Sequence, residues 1–392
     1  MSAPPPTGLG AVSTADDRPP PEAFAAAMAG LRRMGPARLT ALLAAAPPEE
    51  AWRRLRAGTA WSEAGVVQAL GRAGDELIAA WRASALEVDV VELWHRTLDL
   101  GVGVTRRGSP RYPAVLAADV EPPAVLFHQG DPGLLDGPRV AIVGTRRCSA
   151  TGHGVAFELG RDLAAAGVSI VSGLAAGIDG AAHRGALAAG GAPPVGVVGC
   201  GHDVVYPAHQ HELWRAVADV GLLLSEAPPG ARPERWRFPA RNRIIAALAD
   251  LVVVVESHAR GGSLHTVDEA DRRARDVFAV PGSVRNPAAA GTNALLAEGR
   301  APACSADDVL VALDLGTGRR HRSIDARAEP DPADRQVLDQ VGWEAATLDQ
   351  LVVRTGRDLG CLAPALDRLC DAGWVRRAGG WYERVATPGP IR

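Results

Sequence analysis

The sequence predicts an α/β protein built on a mostly parallel, buried sheet, and two patterns predict it. Six short β-branched or leucine runs recur through the middle of the chain, at residues 140–143, 168–171, 195–198, 222–224, 251–255 and 277–280, with helical segments between them. Strands that alternate with helices make βαβ units, and strands apolar on both faces are buried on both faces. The second pattern is glycine that clusters just after these runs, at the carboxyl edge where an open parallel sheet binds ligands.

The other elements follow in order. Residues 1–21 are rich in proline and poor in large apolar residues, so a disordered tail is expected. Residues 22–100 have an alanine-rich helical pattern with Leu31, Leu39, Leu42, Leu43, Leu55, Leu70, Leu77 and Ile78 as core candidates. Trp52, Trp61, Trp81 and Trp94 fall in the same region and are read as core packing. The turn Leu31-Arg32-Arg33-Met34-Gly35-Pro36 fits either a helix–hairpin–helix or a plain helix–helix turn. The sheet domain is placed at 105–313, with 124–128 as an added edge strand. Residues 314–332 read as a flexible linker. Residues 333–386 read as a winged helix. Thr347 and Gln350 form a capping box for its second helix, Leu362, Leu366 and Leu369 share one face of the third, and a hairpin follows around Gly379-Gly380.

Composition excludes several classes. The net charge of −3 excludes a globally basic nucleic-acid binder but not a local basic patch. All 42 basic residues are arginine, so one arginine is weak evidence of guanidinium chemistry. No apolar run approaches the ~20 residues of a membrane helix, and no signal peptide is expected. Five scattered cysteines with no CxxC pair read as reduced thiols of a cytoplasmic protein, with no zinc site.

The chemistry lies at the strand ends. Gly144-Thr145-Arg146-Arg147, with Gly152 and Gly154 after it, can bring backbone N–H groups and a guanidinium to a phosphate. Regular GxGxxG spacing is lacking, and so is a ribose-binding acid on the second strand, which disfavours a dinucleotide cofactor. Ser172-Gly173-Leu174-Ala175-Ala176-Gly177-Ile178-Asp179 ends the second strand. Asp179 is expected to cap the next helix, and His183 lies four residues on; both are read as structural rather than catalytic or metal-binding. Tyr206 can stack on a base or pack its loop. In the segment from Arg232 to Arg243, arginines interleave with Trp236 and Phe238, the composition of a single-strand groove. Gly261-Gly262-Ser263 resembles a further anion nest.

These segments together resemble the DprA/Smf family. They include Val143-Gly144-Thr145-Arg146, the segment from Ser172 to Asp179, Tyr206-Pro207, Phe238-Pro239-Ala240-Arg241-Asn242-Arg243, Gly262-Ser263-Leu264 and Val280-Pro281-Gly282, in family order over about 105–312. The resemblance implies an extended Rossmann-like core between a SAM-like helical domain and a winged helix. It implies single-stranded DNA binding, a homodimer, and delivery of the strand to the RecA recombinase in natural transformation. It implies no catalytic activity, cofactor or metal. Carried onto this chain, the DNA contacts expected are Gly144, Arg146, Ser172, Gly173, Phe238, Arg241, Asn242, Arg243, Gly262 and Ser263. A nucleotide-processing enzyme on the same scaffold is the alternative. The stretch Pro281-Gly282-Ser283-Val284, with Gly291-Thr292 coming much later, does not match a PGGxGT-type segment and argues against it.

Overall fold

A computed structural model describes residues 18–314 and 327–385. Most of the expected disordered tail (1–17), most of the expected linker (315–326) and the last seven residues lie outside the described residues. The chain divides into two compact units, Met1–Thr317 and Gly318–Arg392.

The first unit opens with six helices, α1 (Pro21–Ala29), α2 (Pro36–Ala45), α3 (Pro48–Ala57), α4 (Ala64–Leu70), α5 (Gly74–Glu87) and α6 (Val90–Asp99). Local chemistry sets their ends. Proline occupies the first turn of α1, α2 and α3, where its missing N–H costs nothing. Asp89 caps α6 by accepting from the N–H groups of Val91 and Glu92. Leu31, Leu39, Leu42, Leu55, Leu70 and Leu77 are buried with Trp52, Trp61 and Trp81, while Leu43, Ile78 and Trp94 pack at the margin. This cluster also takes in Val125 and Phe127 of the sheet.

The sheet elements follow in chain order. They are β1 (Gly103–Arg106), α7 (Ala114–Ala117), β2 (Val125–Gln129), β3 (Arg139–Val143), α8 (Ala150–Ala165), β4 (Ser169–Ser172), α9 (Ile178–Ala189), β5 (Val195–Val197), α10 (His211–Val220), β6 (Leu222–Ser225), α11 (Arg237–Leu248), β7 (Leu251–Val254), α12 (Leu264–Asp271), β8 (Asp276–Ala279), α13 (Ala290–Ala297), β9 (Ala301–Pro302) and α14 (Ala306–Ala312). The strand order is β1-β2-β6-β5-β4-β3-β7-β8-β9. Neighbours from β6 to β9 pair in parallel, whereas β1 pairs with β2 and β2 with β6 antiparallel. All six runs expected as strands are present. The run at 124–128 is not an edge, however: β1, unforeseen because Gly103–Arg106 carries only one apolar side chain, Val104, pairs outside it.

From β3 the chain winds one way through β4, β5 and β6, then returns across α11 to place β7 on the other side of β3. The carboxyl ends of β3 and β7 thus flank a topological switch point, where this class of sheet opens a crevice. Behind it, Arg273 is buried against Asp119 (2.8 Å) and Glu269 (2.6 Å), tying α12 to the loop after α7.

The second unit contains α15 (Pro332–Gln340), β10 (Ala346–Thr347), α16 (Leu348–Thr355), α17 (Leu359–Asp371), β11 (Val375–Ala378) and β12 (Trp381–Arg384), with sheet order β10-β12-β11. This is a winged helix. The Thr347/Gln350 capping box opens α16, and Leu362, Leu366 and Leu369 are buried. Arg368 of α17 is held by both carboxylate oxygens of Asp334. Within the segment read as linker, Arg327 lies 3.8 Å over the Trp374 ring and donates to the carbonyl of Gly373. Among the described residues no helix is long and apolar enough to cross a membrane, and no cluster of His, Cys, Asp or Glu could hold a metal ion.

Candidate nucleic-acid interface

A cleft of about 390 Å³ opens at the switch point. Four segments build it: the loop after β3, the loop after β4, one face of α11, and the loop between β7 and α12. An α-helix turns 100° per residue, so Phe238, Arg241, Asn242 and Ile245 of α11 share the cleft-facing side. Arg243 falls on the other side. It is buried, and it donates to Glu226 and to the carbonyl of Glu121.

The ten residues expected to contact DNA therefore divide. Gly144, Arg146, Phe238, Arg241, Asn242, Gly262 and Ser263 line the cleft, and Gly173 lines an adjoining recess of about 180 Å³. Ser172 is fully buried and its hydroxyl donates to the carbonyl of Ile142 at 2.6 Å, so it serves the sheet. Arg243 anchors the back of α11. Neither side chain is among those lining the cleft or the recess.

Arg241 lines the cleft as part of its frame. It is 7 % exposed. Its Nη1 donates to the carbonyl of Gly173 at 2.7 Å and to that of Val197, joining the ends of β4 and β5. A Cβ on Gly173 would stand 2.2 Å from Nη1, so only glycine lets the guanidinium seat. Burial pushes the Asp179 carboxyl above its ordinary range and the Arg241 guanidinium below its own, and each charge partly offsets the other's shift. Asp179 does not cap the helix it opens: the N-cap of α9 is Gly177, and the carboxylate turns back to accept the N–H of Gly173 at 3.2 Å. His183 is fully buried, and burial holds it neutral, with a pKa of about 4.

The exposed charge is different. Arg146, Arg147 and Arg260 are exposed at the cleft, and among the described residues none has an ion-pair or hydrogen-bond partner for its guanidinium. Arg146 stands 4.9 Å from the centre of the Phe238 ring, which meets Tyr206 at 5.4 Å and 35°. Asn242 holds the carbonyl of Gly262 at 3.5 Å. The hydroxyl of Ser263 is spent on Ser257, at 2.9 Å, which leaves its backbone as the group it can offer.

One decisive residue was not foreseen. Glu256 follows β7 and sends its carboxylate to the amino end of α8, where a dinucleotide-binding fold holds phosphate. It accepts from the N–H of Ser149 at 2.8 Å, from the Ser149 hydroxyl at 2.6 Å and from Asn286 at 3.0 Å. A Cβ on Gly152 would lie 2.4 Å from the Glu256 carboxyl carbon. The helix terminus is thus occupied by the protein's own anion. The available signal was that Glu256 is the first polar residue after an apolar strand. Arg147 and Arg260 were legible only as neighbours of the motifs at Arg146 and Gly262.

Comparisons with known proteins agree with this architecture. The family model described as DNA recombination-mediator protein A matches residues 103–314, and that of the DprA winged helix domain matches residues 323–380. DNA processing protein DprA of Bacillus subtilis is 41 % identical over 210 residues, covering 53 % of this chain and 70 % of that protein. A putative DNA processing protein DprA of Mycobacterium tuberculosis is 42 % identical over 244 residues, 60 % of this chain and 61 % of that one. The solved structure of DNA processing protein A from Streptococcus pneumoniae superposes with a TM-score of 0.61 at 32 % identity, covering 74 % of this chain and 96 % of that one.

Proposed function

The chain belongs to the DNA recombination-mediator protein A family, the DprA/Smf proteins, and from that premise we propose that it acts in DNA processing by capturing single-stranded DNA along the switch-point cleft. The observation that carries the reading is a row of unpaired, exposed arginines, Arg146, Arg147 and Arg260, set beside the Phe238–Tyr206 aromatic pair. Phosphates take the guanidinium groups, and an unstacked base takes the ring faces. A duplex keeps its bases stacked inside and offers no free face, so the cleft selects the single strand. Gly144, Asn242 and the backbone at Gly262 and Ser263 complete the wall, with Arg241 and Gly173 holding its floor.

Family membership extends the proposal to a homodimer that delivers the strand to the RecA recombinase in transformation and homologous recombination. Two clefts on one strand raise the effective concentration of the second contact. The reading assigns no reaction, cofactor or catalytic residue. The nucleotide-enzyme alternative draws no support from the site, because Glu256 fills the helix terminus that a nucleotide phosphate would use.

The test is fluorescence anisotropy with labelled oligo-dT and the matching duplex at two salt concentrations. The expected result is a preference for the single strand that weakens with salt, by about 0.7 in the log–log slope for each phosphate bound. No binding of the single strand at low salt would overturn the proposal.

A further inference from the structure

A second, larger groove of about 880 Å³ lies between the turn joining α1 to α2 and the loop that leads into α11. Five arginines line it, Arg32, Arg33, Arg38, Arg232 and Arg237, and Glu234 is its one acid. Glu234 is already engaged, accepting from Trp236 Nε1 at 2.9 Å and from Arg237 Nε at 3.3 Å. Arg33 pairs with Glu76, and Arg38 donates to the carbonyls of Arg33 and Ala69. Arg32 and Arg232 are exposed, and among the described residues neither guanidinium has a partner. Trp236 is 42 % exposed with the Arg237 guanidinium 4.6 Å over its ring. Unpaired cations next to an open indole repeat the chemistry of the cleft.

The two places are also continuous along the chain. Trp236 and Arg237 line the groove, and the next residue, Phe238, lines the cleft. The excess of guanidinium over carboxylate fits a polyanion, and the exposed ring fits an unstacked base.

We propose that this groove is a second track for the same single strand, which leaves the cleft past Phe238, stacks on Trp236 and lays its phosphates against Arg32 and Arg232. The inference rests on the cleft reading above and adds to it a longer footprint that depends on the helical segment. The turn at Leu31–Pro36 then acts as a nucleic-acid contact as well as a helix connection.

The test uses the full chain and a length series of oligo-dT over roughly 4 to 16 nucleotides. The Arg32→Ala/Arg232→Ala double variant removes two exposed side chains that hold nothing in the fold, so its melting curve should match wild type. It should bind the shortest oligonucleotides as wild type does. On the longest it should bind more weakly, with a salt slope smaller by about 1.4, two phosphates at about 0.7 each. Trp236→Ala should weaken long oligonucleotides roughly tenfold at every salt concentration, the signature of lost stacking. Wild-type affinity and slope at every length in both variants would overturn the groove while leaving the cleft intact. Wild-type protein that binds no length would sink both.

Discussion

Replacing Arg241 by methionine separates two roles open to an arginine in this cleft, gripping DNA or holding the cleft together. Methionine keeps much of the volume and removes the charge and the donors. Two buried carbonyls, at Gly173 and Val197, then lose their partner. Each buried group left without its bond costs about 1–3 kcal/mol. The Asp179 carboxylate, buried and already displaced toward its neutral form, loses its largest offsetting charge. The sum is about 4 kcal/mol, a large share of the roughly 5–15 kcal/mol that keeps a domain folded. At ~2 °C per kcal/mol for a large domain the melting temperature should drop by about 8 °C. Arg146→Ala removes an exposed guanidinium that has no hydrogen-bond or ion-pair partner among the described residues and touches only the Phe238 ring. It should melt as wild type and lose about 0.7 from the salt slope of oligo-dT binding. The assay is thermal unfolding by circular dichroism beside anisotropy titrations of both variants. If Arg241→Met melts at the wild-type temperature but shows the binding loss assigned to Arg146→Ala, the clamp is wrong and Arg241 is a DNA ligand.

Two further perturbations follow from buried groups. His183 and His202 are buried and their pKa values fall from 6.5 to about 4. The unfolded chain takes up these protons first, so the contribution is complete above about pH 6.5 and is lost as pH falls toward about 4, on the order of 3 kcal/mol for each histidine; a urea midpoint that stays level between about pH 7 and pH 5 would contradict it. Gly152→Ala puts a methyl where the Glu256 carboxylate sits and turns that carboxylate off Ser149 and Asn286, which should cost about 1–3 kcal/mol in urea unfolding. Adding Glu256→Ala should return part of that loss, and no recovery would show that the clash lies elsewhere.

Strand identity was legible because the β-branched and leucine runs are continuous, apolar and bounded by glycine or charged residues, Gly144 after β3 and Asp250 and Glu256 around β7. Strand position was not, since the placement of β2 inside β1 depends on a pairing between residues 103–106 and 125–128 that local pattern does not encode. The site was legible as a set of segments and misread within α11. Arg241, Asn242 and Arg243 are consecutive, and the helical phase sends Arg243 to the opposite face. Ser172 was expected to contact DNA because it ends a strand, yet its hydroxyl turns inward to Ile142. Glu256 escaped because a carboxylate at an anion site contradicts the charge pattern expected there. Only the glycine at 152, which admits it, explains how the two coexist.

That carboxylate has a consequence for how this protein responds to its surroundings. A ligand tethered to its own site competes at an effective concentration on the order of millimolar or higher, with no diffusion step to lose. Free mononucleotides would have to displace it from the amino end of α8 before gaining any hold there. A binder with that position open would be stabilised in proportion to the nucleotide around it. Here the position is saturated from the moment the chain folds. The amino end of α8 therefore adds no hold on small phosphorylated metabolites, and any anion that enters the cleft must be held by the exposed arginines instead.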